Sequence, residues 1–184
     1  MESNEYINFN GYGKLNWGDS IETFQLVYPN AIEVNLVNVG NSKKLHKYKR
    51  FFIEKNNDSI FYINKITKCF EFFENELLKV IVDYGKVQLG YEYALVYKLI
   101  TQYGKFDWLT DKINKKFLRS TGFNMVNENL RIILTMDYGW EDEDTFTKYV
   151  YCSYENRNAD KKFDPYCLEK LEKMSILRFI NIEL

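Results

Sequence analysis

The chain has 184 residues, 46% of them hydrophobic, and a net charge of -1. That length and apolar content suit one domain with a full core and argue against wholesale disorder. The near-zero charge argues against a global field that would gather nucleic acid or an anionic membrane.

The opening MESNEYINFNGYGK has neither a basic n-region nor an apolar h-region, so a cytoplasmic chain is expected. Removal of a leader would change that to periplasmic or secreted. No apolar run approaches the roughly 18 residues that read as a membrane-spanning helix. The glycines of GYG at 11–13 lack the spacing and strand-then-helix context of a phosphate loop, and no cofactor is expected.

In WGDSIETFQLVYPN, Asp19 and Glu22 read as a capping box at the start of a short helix. Ile21, Phe24, Val27 and Tyr28 recur at helical spacing, and Pro29 closes the helix. Trp17 is expected in the core. From Ala31 the period falls to two, placing Ile32, Val34 and Leu36 on one strand face. A second strand is expected through HKYKRFFIE, then a turn at Asn56-Asn57-Asp58. The clearest hairpin is ITKCFEFF–ENE–LLKVIVDY, with Phe70 and Phe72 on one face of its first strand. Leu78, Val80, Val82 and Tyr84 share a face of its second. One helix followed by four strands predicts an antiparallel meander.

The pattern then restarts. GYEYALVYKLITQYG predicts a helix with Ala94, Tyr97 and Ile100, flanked by Val96, Leu99 and Tyr103, on its apolar side and Gly104 as its stop. From Lys105 to Asn129 both a helix and a crossing strand stay open. A second hairpin pairs LRIILTMDY with TFTKYVYCSY around GWEDED. After Pro165, Cys167, Leu168, Leu171 and Met174 fall at helical spacing. The expected fold is α+β in a single domain. Two pseudo-repeats, about 9–87 and 88–156, each lay a helix on an antiparallel sheet, and an extension follows at 157–184.

The segment Trp17, Gly18, Asp19, Ser20 and its helix, with Phe70, Phe72, Leu78 and Val80, resembles the helix-on-sheet repeat of the β-lactamase-inhibitor-protein-like and small outer-membrane assembly lipoprotein group. A helix at Tyr91–Tyr103 matches the tandem form. The resemblance implies a non-enzymatic protein-binding module that presents the open face of a sheet or its loops; the expected function is a bacterial or phage module of inhibitor or immunity type, acting through an aromatic-rich sheet and loop surface. The chain departs from that group in lacking a leader or lipobox cysteine and in carrying the segment after about Asn156.

Each candidate for chemistry has a structural counterpart. His46 is the sole histidine, too few for a triad or a His-based metal site. The stretch 43–50, containing Lys47, Tyr48, Lys49 and Arg50, interleaves cations and an aromatic as nucleic-acid surfaces do. A lysine-guarded edge strand predicts the same letters. The basic stretch 112–119 would reinforce nucleic-acid binding if it shared that face. Glu141, Asp142, Glu143 and Asp144 are adjacent, where calcium needs alternate ligands, so a solvated loop or contact with a basic partner is expected and no metal. Asp83, Asp137 and Glu71 admit a hydrolase reading if two of them converge. The three cysteines, 69, 152 and 167, lack C-x-x-C spacing, which argues against a disulfide framework or cysteine zinc site. Cys69 and Cys152 sit in apolar strands without an activating base. The residues expected to meet a protein partner are Tyr138, Trp140 and the acidic run 141–144, with Tyr48, Lys47, Lys49 and Arg50.

Overall fold

A computed structural model describes residues 8–34, 49–56, 66–87, 90–105, 107–114, 117–140 and 146–158. For 49, 55, 56, 108–114, 117–124, 137–140 and 146–148 it describes the backbone alone. The elements follow the expected order. A small hairpin of β1 (Gly11–Tyr12) and β2 (Leu15–Asn16) precedes helix α1 (Ile21–Val27) and strands β3 (Ile32–Val34), β4 (Lys49–Asn56), β5 (Ile66–Phe73) and β6 (Glu76–Lys86). Helix α2 (Tyr91–Tyr103) is followed by β7 (Asp107–Asn114), β8 (Phe117–Val126), β9 (Leu130–Trp140) and β10 (Phe146–Asn156). The stretch left open between helix and strand is therefore strand. Beyond the hairpin, the strands form one eight-stranded antiparallel sheet in the order β3-β4-β5-β6-β10-β9-β8-β7. Each run of one helix and four strands makes half of it, and the halves meet where their last strands, β6 and β10, pair. The protein is α+β.

Strand alternation divides the side chains between two faces. One ladder of paired residues runs Phe52–Phe70–Val80–Tyr154–Ile132–Met125 across six strands. All six are buried, in one cluster with Leu15, Ile21 and Phe24 beside β4–β6 and with Leu95 and Leu99 of α2. Both helices and the small hairpin thus cover the same face. The face opposite carries Phe51, Cys69 and Ile81, with Ile53 packed against them.

Phe24 is the centre of the α1 side. It is fully buried, with ring centroids of Phe70, Phe52, Phe72 and Tyr28 at 4.8, 5.0, 5.2 and 5.5 Å. The helix cap differs from the expected one. Ser20, not Asp19, is the N-cap and accepts from Thr23 N–H at 3.3 Å. Asp19 instead closes the preceding turn by accepting from Asn16 N–H at 2.8 Å. Glu22 takes a hydrogen bond from the side-chain amide of Asn75, whose oxygen accepts from Ile21 N–H at 3.2 Å. A hairpin turn 54 residues away therefore completes the cap. That turn has two residues, Glu74 and Asn75, both with positive φ (49° and 72°), the mirror-image geometry that suits tight hairpins.

The start of β6 also differs. A bulge breaks the register between Glu71, which pairs with Lys79, and Phe72, which pairs with Leu77. Leu77, not Leu78, therefore joins Phe70, Phe72, Val80 and Val82 in the helix-side core. The cause is tertiary: Gly18 N–H donates to Leu77 O at 3.1 Å, and Leu77 N–H donates to Asp19 O at 3.0 Å. The Trp-Gly pair is part of this link. Gly18 has φ +88°, and Trp17 packs partly buried against the core with its buried Nε1 unpartnered among the described residues. At the other end of the small hairpin, a Cβ on Gly11 would lie 1.9 Å from Leu15 O, so only glycine fits there.

At the sheet's edge, Ile32 is 66% exposed, because β3 is a three-residue outer strand, so it does not join the core as the alternation suggested.

Candidate interaction surface

Helix α2 makes the largest departure from the sequence expectation. Gly90 is its N-cap; Glu92 Oε2 accepts from Gly90 N–H at 3.0 Å, and Gly104 N–H donates to Ile100 O at 2.9 Å to close the far end. Its buried residues are Glu92, Leu95 and Leu99, with Tyr91, Val96 and Tyr103 packed against the core. Ala94, Tyr97 and Ile100, expected on the apolar side, face outward instead. At about 100° per residue, Leu95 to Tyr97 spans an apolar arc of roughly 200°. The sheet covers only the Leu95–Leu99 side of it. The remainder is a stripe of Tyr93, Tyr97 and Ile100 at i, i+4 and i+7, respectively 73%, 74% and 44% exposed. Tyr103, next along the helix, stacks edge-on with the exposed Phe9 at 5.7 Å and carries the patch to the small hairpin.

The stripe is well anchored from behind. Tyr103 also meets Tyr154 at 6.2 Å, and Tyr154 meets Tyr12 at 4.8 Å. Burial pushes the Tyr154 phenol well above its ordinary value, with the neighbouring Cys152 and tyrosines adding to the effect. Tyr91, half-buried beside Tyr84, is raised by burial to about 12.

Of the residues expected to contact a partner, Arg50 alone has a described side chain, and it lies on β4. Lys47, Tyr48, Glu141, Asp142, Glu143 and Asp144 fall outside the described residues, as do His46 and the turn at 57–58. Tyr138 and Trp140 pair with Lys148 and Phe146 within the β9–β10 ladder, so Trp140 belongs to a strand and not to a loop. Their side chains lie outside the description, as does that of Lys49, whose backbone opens β4 opposite Phe73. Arg50 is described, exposed and committed locally. Its Nε and one terminal nitrogen each donate to Glu33 at 2.6 Å, and its guanidinium lies over the Phe52 ring at 5.4 Å. That bidentate pair holds the Glu33 carboxyl below its ordinary value and occupies one bidentate edge of the guanidinium. In the basic stretch 112–119 only the backbone of 112–114 and 117–119 is described, in β7 and β8.

The face opposite the helices carries a charge ladder in which Glu71 pairs with Lys79, Lys79 with Glu155, and Glu155 with Arg131. Lys79 Nζ lies 2.6 Å and an Arg131 nitrogen 3.7 Å from the Glu155 carboxylate. Asp83 shares this face, opposite Thr67, and its Oδ1 accepts from Gly85 N–H at 2.7 Å. Burial raises the Asp83 carboxyl, opposed by that hydrogen bond. Asp83 and Glu71 sit four residues apart in register, roughly 13 Å along the strands. Glycosidase carboxylates stand about 5–9.5 Å apart, so these two do not converge as the hydrolase reading requires. Asp137 pairs with Tyr149 through its backbone, and its side chain lies outside the description.

Cys69 and Cys152 are free and buried, and burial raises the Cys152 thiol to about 12, far from a nucleophile's range. Among the described residues no group of three His, Cys, Asp or Glu could hold a metal ion, and no helix is long and apolar enough to cross a membrane.

These observations define a class, an α+β protein that has, among the described residues, one large antiparallel sheet with two helices on a single face. The chain matches no protein-family profile, no curated protein and no solved structure.

Proposed function

We propose that the chain is a protein-binding module whose contact surface is the outer face of α2. The observation that carries this reading is the exposed stripe of Tyr93, Tyr97 and Ile100 on a helix fixed from behind by Leu95, Leu99 and Tyr103. Tyrosine offers a large amphipathic contact area at little ordering cost and is enriched where proteins meet. The stripe's i, i+4, i+7 spacing presents its residues together to a groove or facing helix. A helix laid on antiparallel strands, twice over, also supports the resemblance to inhibitor-like helix-on-sheet proteins. In the inhibitor or immunity role expected from the sequence, binding is the activity itself.

The test compares the full chain with its Tyr93→Asp/Tyr97→Asp variant as baits in extract from the source cell. A prey retained by the wild type and lost from the variant, with melting unchanged, supports the reading. Two hot-spot tyrosines at about 2 kcal/mol each amount to roughly a thousandfold in affinity. An identical prey set on both baits overturns it.

A further inference from the structure

The charges around the α2 stripe have one sign. The stripe and its continuation at Phe9 are built from two segments, 8–18 and 84–105, which carry Lys14, Lys86, Lys98 and Lys105. All four lysines are exposed. The only carboxylate in the two segments is that of Glu92, which is buried at the start of the helix and accepts from Gly90 N–H. The next acid along the chain, Asp107, lies 3.9 Å from Lys105, but both side chains are at least 80% exposed, where water and salt weaken such a pair. The chain as a whole has a net charge of -1, so the segments that present the stripe run against the sum. The shape of the helix adds to this. At about 100° per residue, Ala94 and Thr101 lie between Tyr97 and Lys98 around α2. Both are small and exposed, and the Thr101 hydroxyl is turned to Tyr97 O at 2.8 Å. A low strip therefore runs along the helix, with the tyrosines and Ile100 on one side and an ammonium on the other.

We propose that the partner met by α2 is an acidic amphipathic helix, an inference that rests on the reading of the stripe as a contact surface. The apolar side of that helix packs along Tyr93, Tyr97 and Ile100 and settles over Ala94 and Thr101. A carboxylate at the border of its apolar side reaches Lys98, and the phenol hydroxyls of Tyr93 and Tyr97 donate to others. Charge complementarity selects this occupant, because cations at the rim favour an acidic partner and reject a basic one. A second copy of the chain fits less well, since two copies of this face would set lysines against lysines. A nucleic acid also fits less well. It needs cations along its track and flat faces for its bases, whereas α2 offers one lysine in 13 residues and sets Ile100 and Ala94 among its tyrosines.

Fluorescence anisotropy on the full chain tests this with three labelled probes. One is a peptide of about 18 residues with leucine at helical spacing and glutamate elsewhere, one is its counterpart with lysine for glutamate, and one is a single-stranded oligothymidylate. The glutamate peptide is expected to bind roughly tenfold tighter than the lysine peptide, with the difference shrinking between about 0.05 M and about 0.5 M salt. Lys98→Glu/Lys105→Glu is expected to reverse the preference with melting unchanged, and Tyr93→Ala/Tyr97→Ala to abolish binding of the glutamate peptide. Equal binding of the two peptides, lost in the tyrosine variant, overturns the acidic partner and leaves the stripe standing as a contact surface. A preference for the glutamate peptide that survives the tyrosine substitutions overturns the proposal, because the stripe then takes no part. Oligothymidylate bound as tightly as the glutamate peptide overturns it in favour of polyanions at large. A wild-type dimer in sedimentation that the tyrosine variant dissociates overturns it in favour of a second copy. Binding of neither peptide overturns it as well, and the bait comparison then judges the stripe separately.

Discussion

Phe24→Ala is the substitution that most directly tests the aromatic account of the core. Phe24 is fully buried and has four rings with centroids within 5.5 Å, three of them from β4 and β5. Removing a buried phenylalanine side chain costs about 3–5 kcal/mol through lost transfer energy and the cavity left behind. The upper part of that range applies here. α1 has only seven residues, too short to hold itself together, and it is pinned to the sheet by Ile21 and Phe24. The surrounding rings belong to the sheet and cannot follow a retreating helix. Urea unfolding monitored by circular dichroism measures the effect. With a slope of about 2 kcal/mol per molar, the midpoint falls by roughly 2 M with the slope unchanged. Leu26→Ala, on the same helix but 86% exposed, is the control and moves stability by less than about 0.5 kcal/mol. A Phe24→Ala loss below about 1 kcal/mol, or one no larger than that of Leu26→Ala, refutes the packing argument.

Two further substitutions probe the backbone and the buried charge. Glu74→Asn at the positive-φ turn before β6 is expected to raise stability by about 0.5–1 kcal/mol, because asparagine tolerates the left-handed region better than glutamate. For a chain of this length that is a rise of roughly 1–4 °C in Tm by calorimetry, and a fall in Tm contradicts the turn assignment. At Asp83, burial lifts the folded pKa above the unfolded value, so the folded state holds its proton to higher pH. Its contribution is therefore greatest below the unfolded value near 3.9 and is lost as pH rises through the folded pKa. Asp83→Asn keeps an oxygen for the Gly85 N–H and removes the charge. Its stability relative to wild type should be higher at pH 7 than at pH 3 in paired urea titrations. The opposite order means that Asp83 is held by favourable charge interactions and not penalised by burial.

The parts of the fold legible in the sequence are those in which one strand face is buried and the other is not. Leu130, Ile132, Leu134 and Met136 alternate because every second residue of β9 meets the helix layer, and their pairing with β10 runs without a register break. Phe70 and Phe72 are legible for the same reason. The failures occur where a distant segment sets the local geometry. Leu77 replaces Leu78 in the core because residues 18 and 19 hydrogen-bond to it from 59 and 58 positions away, and no local pattern contains that. Ser20 replaces Asp19 as cap because Asp19 is already engaged with Asn16. The pairing of β7 with β8 has two register breaks, which erases the alternation that would have marked them as strands. The outward stripe of α2 is not legible because the helix is apolar over too wide an arc for spacing to choose the inward side. Glu92 lies in the buried stripe although it is charged, and its carboxylate accepts from the N–H of the N-cap Gly90.

The aromatic richness of the chain separates by position into two populations, and that separation bears on function. A compositional bias of the genome raises phenylalanine and tyrosine everywhere and does not choose a face. Yet Phe24, Phe52, Phe70 and Phe72 are all at or below 1% exposure, while Tyr93 and Tyr97 stand at 73% and 74% on a helix. Exposed helical positions are better filled by Ala, Glu, Lys or Gln, each a few tenths of a kcal/mol more favourable than Tyr. Two outward tyrosines with Ile100 beside them therefore lower helix stability and raise the tendency to associate, with no gain inside the fold. On the reading proposed above, contact with another protein is the benefit that offsets that cost.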